Sequence, residues 1–167
     1  NAFDSTLSGF APVDAFVLKL DPSLAAANEL VYSTVIGGTG REYGYGIAVY
    51  KTTSIPPSLD PNDGDFYICG RSHSSLSPLS LYSSFPSGFP VTNSAVLANQ
   101  AGAGDVFVTR FKADGTIQES RLLGGSDYDT AYGIQVDGTN VWLVGDTDST
   151  NFPITPGLFV PGNKLGQ

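Results

Sequence analysis

Asp105-Val-Phe-Val-Thr-Arg-Phe111 decides how this chain reads, because the same block stands earlier as Asp14-Ala-Phe-Val-Leu-Lys-Leu20. Four more blocks return in the same order. Val35-Ile-Gly-Gly38 becomes Leu122-Leu-Gly-Gly125, and Tyr45-Gly-Ile-Ala-Val49 becomes Tyr132-Gly-Ile-Gln-Val136. Phe66-Tyr-Ile-Cys-Gly70 becomes Val141-Trp-Leu-Val-Gly145, and Phe89-Pro-Val-Thr92 becomes Phe152-Pro-Ile-Thr155. A repeating β unit of this kind cannot bury both of its faces alone and must stack on copies of itself. The repeat divides the 167 residues into a unit at 1–93, a unit at 94–156 and the start of a third at 157–167, together one segment. Offsets between matching blocks fall from 91 to 87, 75 and 63. Unit one therefore carries insertions, a small one around 22–28 and larger ones near 51–63 and 76–88. The two larger ones lack strand periodicity and are expected at the surface, outside the packed strands.

Each unit offers four strands. In unit two, 106–111 and 118–123 flank Lys112-Ala-Asp-Gly115, where Asp-Gly accepts the positive φ of a tight turn. Segments 133–136 and 141–144 flank Asp137-Gly-Thr-Asn140, a second hairpin. Both strand faces are apolar: Phe107 and Phe111 alternate with Val106 and Val108. A sheet wet on one face would alternate apolar with polar instead. The expected fold class is all-β, built of β-propeller blades: four-stranded antiparallel sheets packed on both faces, about two blade units per chain. Phe16, Phe107, Ile47, Ile134, Ile68 and Leu143 are the expected core, paired across the repeat.

These blocks resemble the bacterial seven-bladed β-propeller repeat (SBBP-type). Its units read roughly Asp-Ala-Phe-Val-x-Lys-Leu, Tyr-Ser-Thr-x-Leu-Gly-Gly, Tyr-Gly-x-Gly-Ile-Ala-Val, an aromatic-rich strand ending in Gly, then Phe-Pro-x-Thr-Pro-Gly-x-Phe. Residues 14–20, 32–38, 43–49, 66–70 and 152–159 carry the match, which spans nearly everything outside the insertions. The resemblance implies an extracellular or cell-surface propeller of scaffold or adhesive type, and it brings no catalytic residues with it. It also implies an order within a blade. The Tyr-Gly-Ile strand is innermost, its hairpin partner second, and the Asp-x-Phe-Val and Leu-Gly-Gly strands third and outermost. The chain then runs outer half, full blade, inner half, and two units are short of a closed propeller. Two open sheet edges remain to be paired, by further chain or by neighbouring copies.

Composition narrows the partners. Net charge is −8, with only 8 Lys and Arg in the whole chain. A phosphate backbone needs a basic patch, so nucleic acid is not an expected partner. No apolar run approaches the ~20 residues of a membrane span. The lone Cys69 rules out an intrachain disulfide. The first residue is Asn1, with no charged-then-apolar signal behind it, which reads as a mature, cleaved or partial chain.

Individual residues offer chemistry, each beside a plainer job. Asp60-Pro-Asn-Asp-Gly-Asp65 resembles the opening of a calcium loop but lacks the acid at its twelfth position, and an ordinary polar turn accounts for it. Asp127/Asp129 and Asp146/Asp148 are Asp-x-Asp pairs whose unit-one counterparts are Gly40/Glu42 and Arg71/His73, so neither pair repeats. Solvated loop acids are the default for both. His73, the only histidine, would need an orienting acid and an oxyanion hole to serve a nucleophile; no nucleophile-elbow motif is present, and a solvated loop residue is the plainer reading. Cys69 aligns with Val144 in a packed strand and reads as a small core hydrophobe. Trp142 aligns with Tyr67 and suits either sugar stacking or packing between blades. The Ser/Pro-rich stretch 72–94 suits O-linked sugars or a plain loop; no Asn-x-Ser/Thr sequon occurs. No catalytic, cofactor-binding or metal-binding residue is assigned, and no cofactor is expected.

The function expected is that of a non-enzymatic, extracellular or cell-surface β-propeller scaffold and interaction protein. It would assemble by blade-to-blade packing, within a longer chain or between subunits, as a ring or filament. Its partners would be other blades or copies of itself. The alternative is a carbohydrate-binding or adhesive propeller, with glycans as ligands and with loop aromatics and acids converging on one rim. A glycosidase would need two positioned carboxylates, and no pair stands out.

Overall fold

The computed structural model describes residues 13–38, 40–52, 60–73, 76–78, 89–92 and 103–155. Ten strands form, in chain order: β1 (Ala15–Leu20), β2 (Leu30–Ile36), β3 (Glu42–Val49), β4 (Phe66–Ser72), β5 (Leu76–Pro78), β6 (Phe89–Val91), β7 (Asp105–Phe111), β8 (Ile117–Leu123), β9 (Asp129–Asp137) and β10 (Asn140–Thr147). These runs are rich in Val, Ile, Tyr and Phe, which suit a pleated, packed surface. One 3-10 turn at Ala26–Asn28 is the only helical element among the described residues. The fold is all-β, with several antiparallel sheets.

The central sheet has four antiparallel strands in the order β3-β4-β7-β8. Its two hairpins come from different sequence units. Antiparallel β1–β2 forms a second sheet and β9–β10 a third, while β5 and β6 make a short parallel pair. Two apolar clusters bind the sheets into layers. Ala15, Val17 and Ile36 of β1–β2 pack with Phe66, Ile68, Phe107, Phe111 and Leu122 of the central sheet, joined by Phe89 and Val91 of β6. On the opposite face, Cys69 and Val106 pack with Ala131 of β9, with Leu123, Ile134 and Leu143 at the margin. Burying Phe107 or Phe111 completely contributes about 1.5–3 kcal/mol each by area alone.

The repeat extends to single backbone bonds. Glu42 N–H donates to Val13 O at 2.9 Å, and Asp129 N–H, 87 residues on, donates to Gly104 O at 2.8 Å. His73 N–H donates to Arg41 O at 3.0 Å, as Asp148 N–H does to Tyr128 O at 2.8 Å. The strand register breaks repeat as well. Tyr45 is the unpaired residue of a bulge between β3 and β4, and Tyr132 is the unpaired residue of a bulge between β9 and β10.

Two expected core residues are not in the core. Phe16 is 67% exposed and Ile47 is 57% exposed. Phe16 lies on the face of β1 equivalent to the Phe107 face of β7. The β1–β2 layer covers that face of β7, but no further layer among the described residues covers β1–β2. Ile47 lies on β3, an edge strand that β1 approaches at its Gly44 end, where Ala15 Cβ is 3.5 Å from the position a Cβ on Gly44 would take. A groove of about 450 Å³ opens there, lined by Phe16, Leu18, Tyr45 and Ile47 among others. Ile68 and Phe107 are buried, while Ile134 and Leu143 are half-buried. The third insertion differs in one respect, since it was read as lacking strand periodicity. Leu76–Pro78 is strand β5, pairing in parallel with Phe89–Val91; positions 79–88 lie outside the described residues.

Candidate functional site

The bulges aim tyrosines off the sheet. A bulge inserts a residue without a cross-strand partner and redirects its side chain. Here both bulged residues are tyrosines of equivalent blocks, and their rings meet at 5.3 Å. Tyr43 continues the row, stacking on Tyr45 at 6.3 Å. Arg71 of β4 completes it, its guanidinium carbon 5.3 Å from the Tyr43 ring and 5.5 Å from the Tyr128 ring. His73 packs edge-on to Tyr43 at 5.9 Å and tilted to Tyr128 at 5.7 Å. Burial, then the charges of Arg71 and Arg41, hold the His73 imidazole below its ordinary pKa, so it is neutral at pH 7. Tyr132 OH donates to Asp146 at 3.2 Å. Tyr45, Tyr128 and Tyr132 remain exposed. The result is a surface of aromatic faces that carries the Arg71 guanidinium and the Asp146 carboxylate, the chemistry that stacks on sugar rings or on a flat apolar partner.

Beneath this row lie two acid clasps, one per repeat. In unit two, Asp129 Oδ2 accepts from Gly125 N–H at 2.7 Å and from Ser149 Oγ at 2.9 Å. In unit one, Glu42 accepts from Gly38 N–H at 3.1 Å and from Ser72 Oγ at 2.9 Å. Asp105 and Asp14 close the clasps. A Cβ on Gly124 would meet Asp129 Oδ2 at 2.8 Å and collide with Asp105; on Gly37 it would meet Glu42 Oε2 at 2.8 Å and collide with Asp14. Only glycine lets the two carboxyls approach so closely. Burial first, and the charge of Asp129 second, push the Asp105 carboxyl up to about 6. Neither Asp105 Oδ1 nor Asp129 Oδ1 has a hydrogen-bond partner among the described residues. A proton retained on Asp105 relieves like-charge repulsion in that space.

The other sequence candidates fall elsewhere. Carboxylates of the 60–65 stretch diverge to separate partners. Asp60 accepts from Tyr50 OH at 2.9 Å, Asp63 from Thr52 N–H at 3.0 Å, and Asp65 takes the Arg110 guanidinium at 2.7 and 3.0 Å. Asp127 is exposed and accepts from Tyr128 N–H, whereas Asp129 is buried, so that pair splits. Asp146 and Asp148 are both exposed. No group of three or more His, Cys, Asp or Glu converges as a metal set among the described residues. Cys69 is buried with its thiol pushed up to about 11 by burial, which keeps it protonated and unreactive. Trp142 is 62% exposed beside a groove of about 590 Å³, whose other walls include Tyr67, Val108, Arg110, Glu119 and Arg121. Of the 72–94 stretch, the described part supplies β5, β6 and the buried Phe89.

The sequence does mark the clasps, though indirectly: an acid recurs at 14 and 105 and again at 42 and 129. Arg71 carries no such mark, since Asp146 replaces it in the next unit. No helix among the described residues is long and apolar enough to cross a membrane. Compared with models of known protein families and with curated proteins, the chain matches none.

Proposed function

We propose that this chain is a β-propeller segment, a non-enzymatic scaffold of the extracellular space or cell surface whose work is the stacking of repeated sheets. One observation carries this. Tyr45 packs on its own repeat equivalent, Tyr132, at 5.3 Å, as expected where successive blades are related by one rotation. The strand order β3-β4-β7-β8 supports it, being the inner-to-outer order implied by the resemblance to SBBP-type repeats. On this reading the central sheet is a whole blade, β1–β2 an outer half and β9–β10 an inner half. Images of the protein at its native mass test the proposal: an annular particle with a central channel is expected, and a solid particle without one overturns it.

A second reading has its own support in the exposed rings of Tyr45, Tyr128 and Tyr132 around Arg71. Such a surface suits a glycan ligand, and a glycan array separates this from scaffolding alone. Binding that falls at least about tenfold in Tyr132→Ala supports it; no array signal rejects it.

A further inference from the structure

Among the described residues, β1 pairs only with β2, and β10 only with β9. We propose that these two edges belong to each other: β10 of one copy adds antiparallel to β1 of a second copy, completing a four-stranded sheet at the junction. This deepens the proposed function and rests on it. The template lies within the chain, where β4, the repeat equivalent of β10, pairs with β7, the equivalent of β1. That internal seam aligns Tyr67 with Arg110, Ile68 with Thr109, Cys69 with Val108, Gly70 with Phe107 and Ser72 with Asp105. Carried across the repeat, it sets Trp142 against Lys19, Leu143 against Leu18, Val144 against Val17, Gly145 against Phe16, and Thr147 against Asp14.

Three pairings keep their chemistry across the junction. Arg110 lies over the Tyr67 ring at 5.7 Å, and the junction offers Lys19 to Trp142, again a cation to an aromatic face. Gly70 stands where any Cβ would meet the Phe107 ring at 2.8 Å, and the junction sets Phe16 against Gly145. A hydroxyl faces an aspartate in both: Ser72 with Asp105, and Thr147 with Asp14. The register breaks agree as well, falling between Lys19 and Leu20 on β1 and between Arg110 and Phe111 on β7.

Seven of the exposed large hydrophobic side chains fall into two sets. Phe16, Leu18, Leu20, Ile47 and Val49 lie towards one side of the stack, and Trp142 and Val144 towards the other. Docked in this register, the outer face of β1–β2 enters the 590 Å³ groove beside Val108 and Arg110 of the preceding copy. The Trp142 and Val144 face of β10 then covers the 450 Å³ groove at Ile47 of the following copy. One contact fills both grooves, which is why a second copy of this chain is the occupant. The contact is heterologous, so repeating it closes a ring or extends a filament.

Cysteine cross-linking reads the register. Lys19 and Trp142 are both exposed, and Cys69 is buried out of reach. Mixed under mild oxidation, Lys19→Cys and Trp142→Cys chains are expected to form a disulfide-linked pair. Lys19→Cys with Leu143→Cys is expected to form none, because a one-residue slip turns the side chain to the other face. A chain carrying both Lys19→Cys and Trp142→Cys should give a ladder of linked copies. If nothing links and the wild-type chain sediments as a monomer, the copy-to-copy junction is overturned, while the annular-particle test of the propeller still stands. Association without this linkage overturns the register. Phe16→Glu gives a readout free of engineered thiols. Its side chain is exposed in a single copy, so folding is preserved, but a charge buried at the junction should weaken association by about tenfold or more. Unchanged association would overturn the proposal.

Discussion

Asp105 keeps its proton up to about pH 6 when folded, whereas an unfolded aspartate releases it near pH ~4. Between those values the folded state binds more protons. The site's contribution to stability is therefore complete below pH ~4 and is lost as pH rises through about 6. Asp105→Asn removes the ionisation and offers Asp129 a donor. At pH 7 the variant should be about 1 kcal/mol more stable than wild type, with the difference vanishing near pH 4, as read from thermal midpoints across that range. A wild-type curve parallel to the variant's would contradict the clasp. A second contrast at this scale sets two phenylalanines of one repeat position against each other. Phe107→Ala should cost ~3–5 kcal/mol in denaturant unfolding, and Phe16→Ala less than ~0.5 in the isolated copy. The letters at 16 and 107 are identical, so burial at this pair was not legible in the sequence; it depends on which layer covers the strand. The acids at 14, 105, 42 and 129 were legible as recurrences, but their meeting needed the fold.

The strands other than β5 and the two Asp-Gly hairpins were legible because short apolar runs and Asp-Gly turns are local signals. The bulges at Tyr45 and Tyr132 were not, since a bulge is a property of register between two strands and leaves only a tyrosine before a glycine to read. Nor was β6 as a core element. Its Phe89 ring lies 5.1 Å from the Phe107 ring, although the two residues sit in different sequence units. Removing either should open the same space. A double-mutant cycle of Phe89→Ala and Phe107→Ala is expected to show coupling of about 0.5–1.5 kcal/mol; strict additivity would mean that β6 packs independently of β7.

Among the described residues, β1–β2, the central sheet and β9–β10 stack as three layers, and only the middle one is covered on both faces. Cooperative opening should follow that order. Hydrogen exchange of the dilute chain is expected to be slowest for β4 and β7 amides and at least tenfold faster at the unpaired edge of β10. In concentrated protein the β10 and β1 edges should slow together. Equal protection of β10 and β4 in the dilute chain would show that the outer layer is not the weaker one.

Sequence unit and sheet are out of step, since β3 and β4 belong to residues 1–93 and β7 and β8 to residues 94–156. A gene divided at the boundary between units would therefore encode two pieces, each holding half of the central sheet and neither holding a whole one. A division after β2 or after β8 would cut between layers instead. Duplication and exchange among such genes would thus be tolerated at the Gly37-Gly38 and Gly124-Gly125 turns, where inheritance can lengthen the stack without ever splitting a sheet.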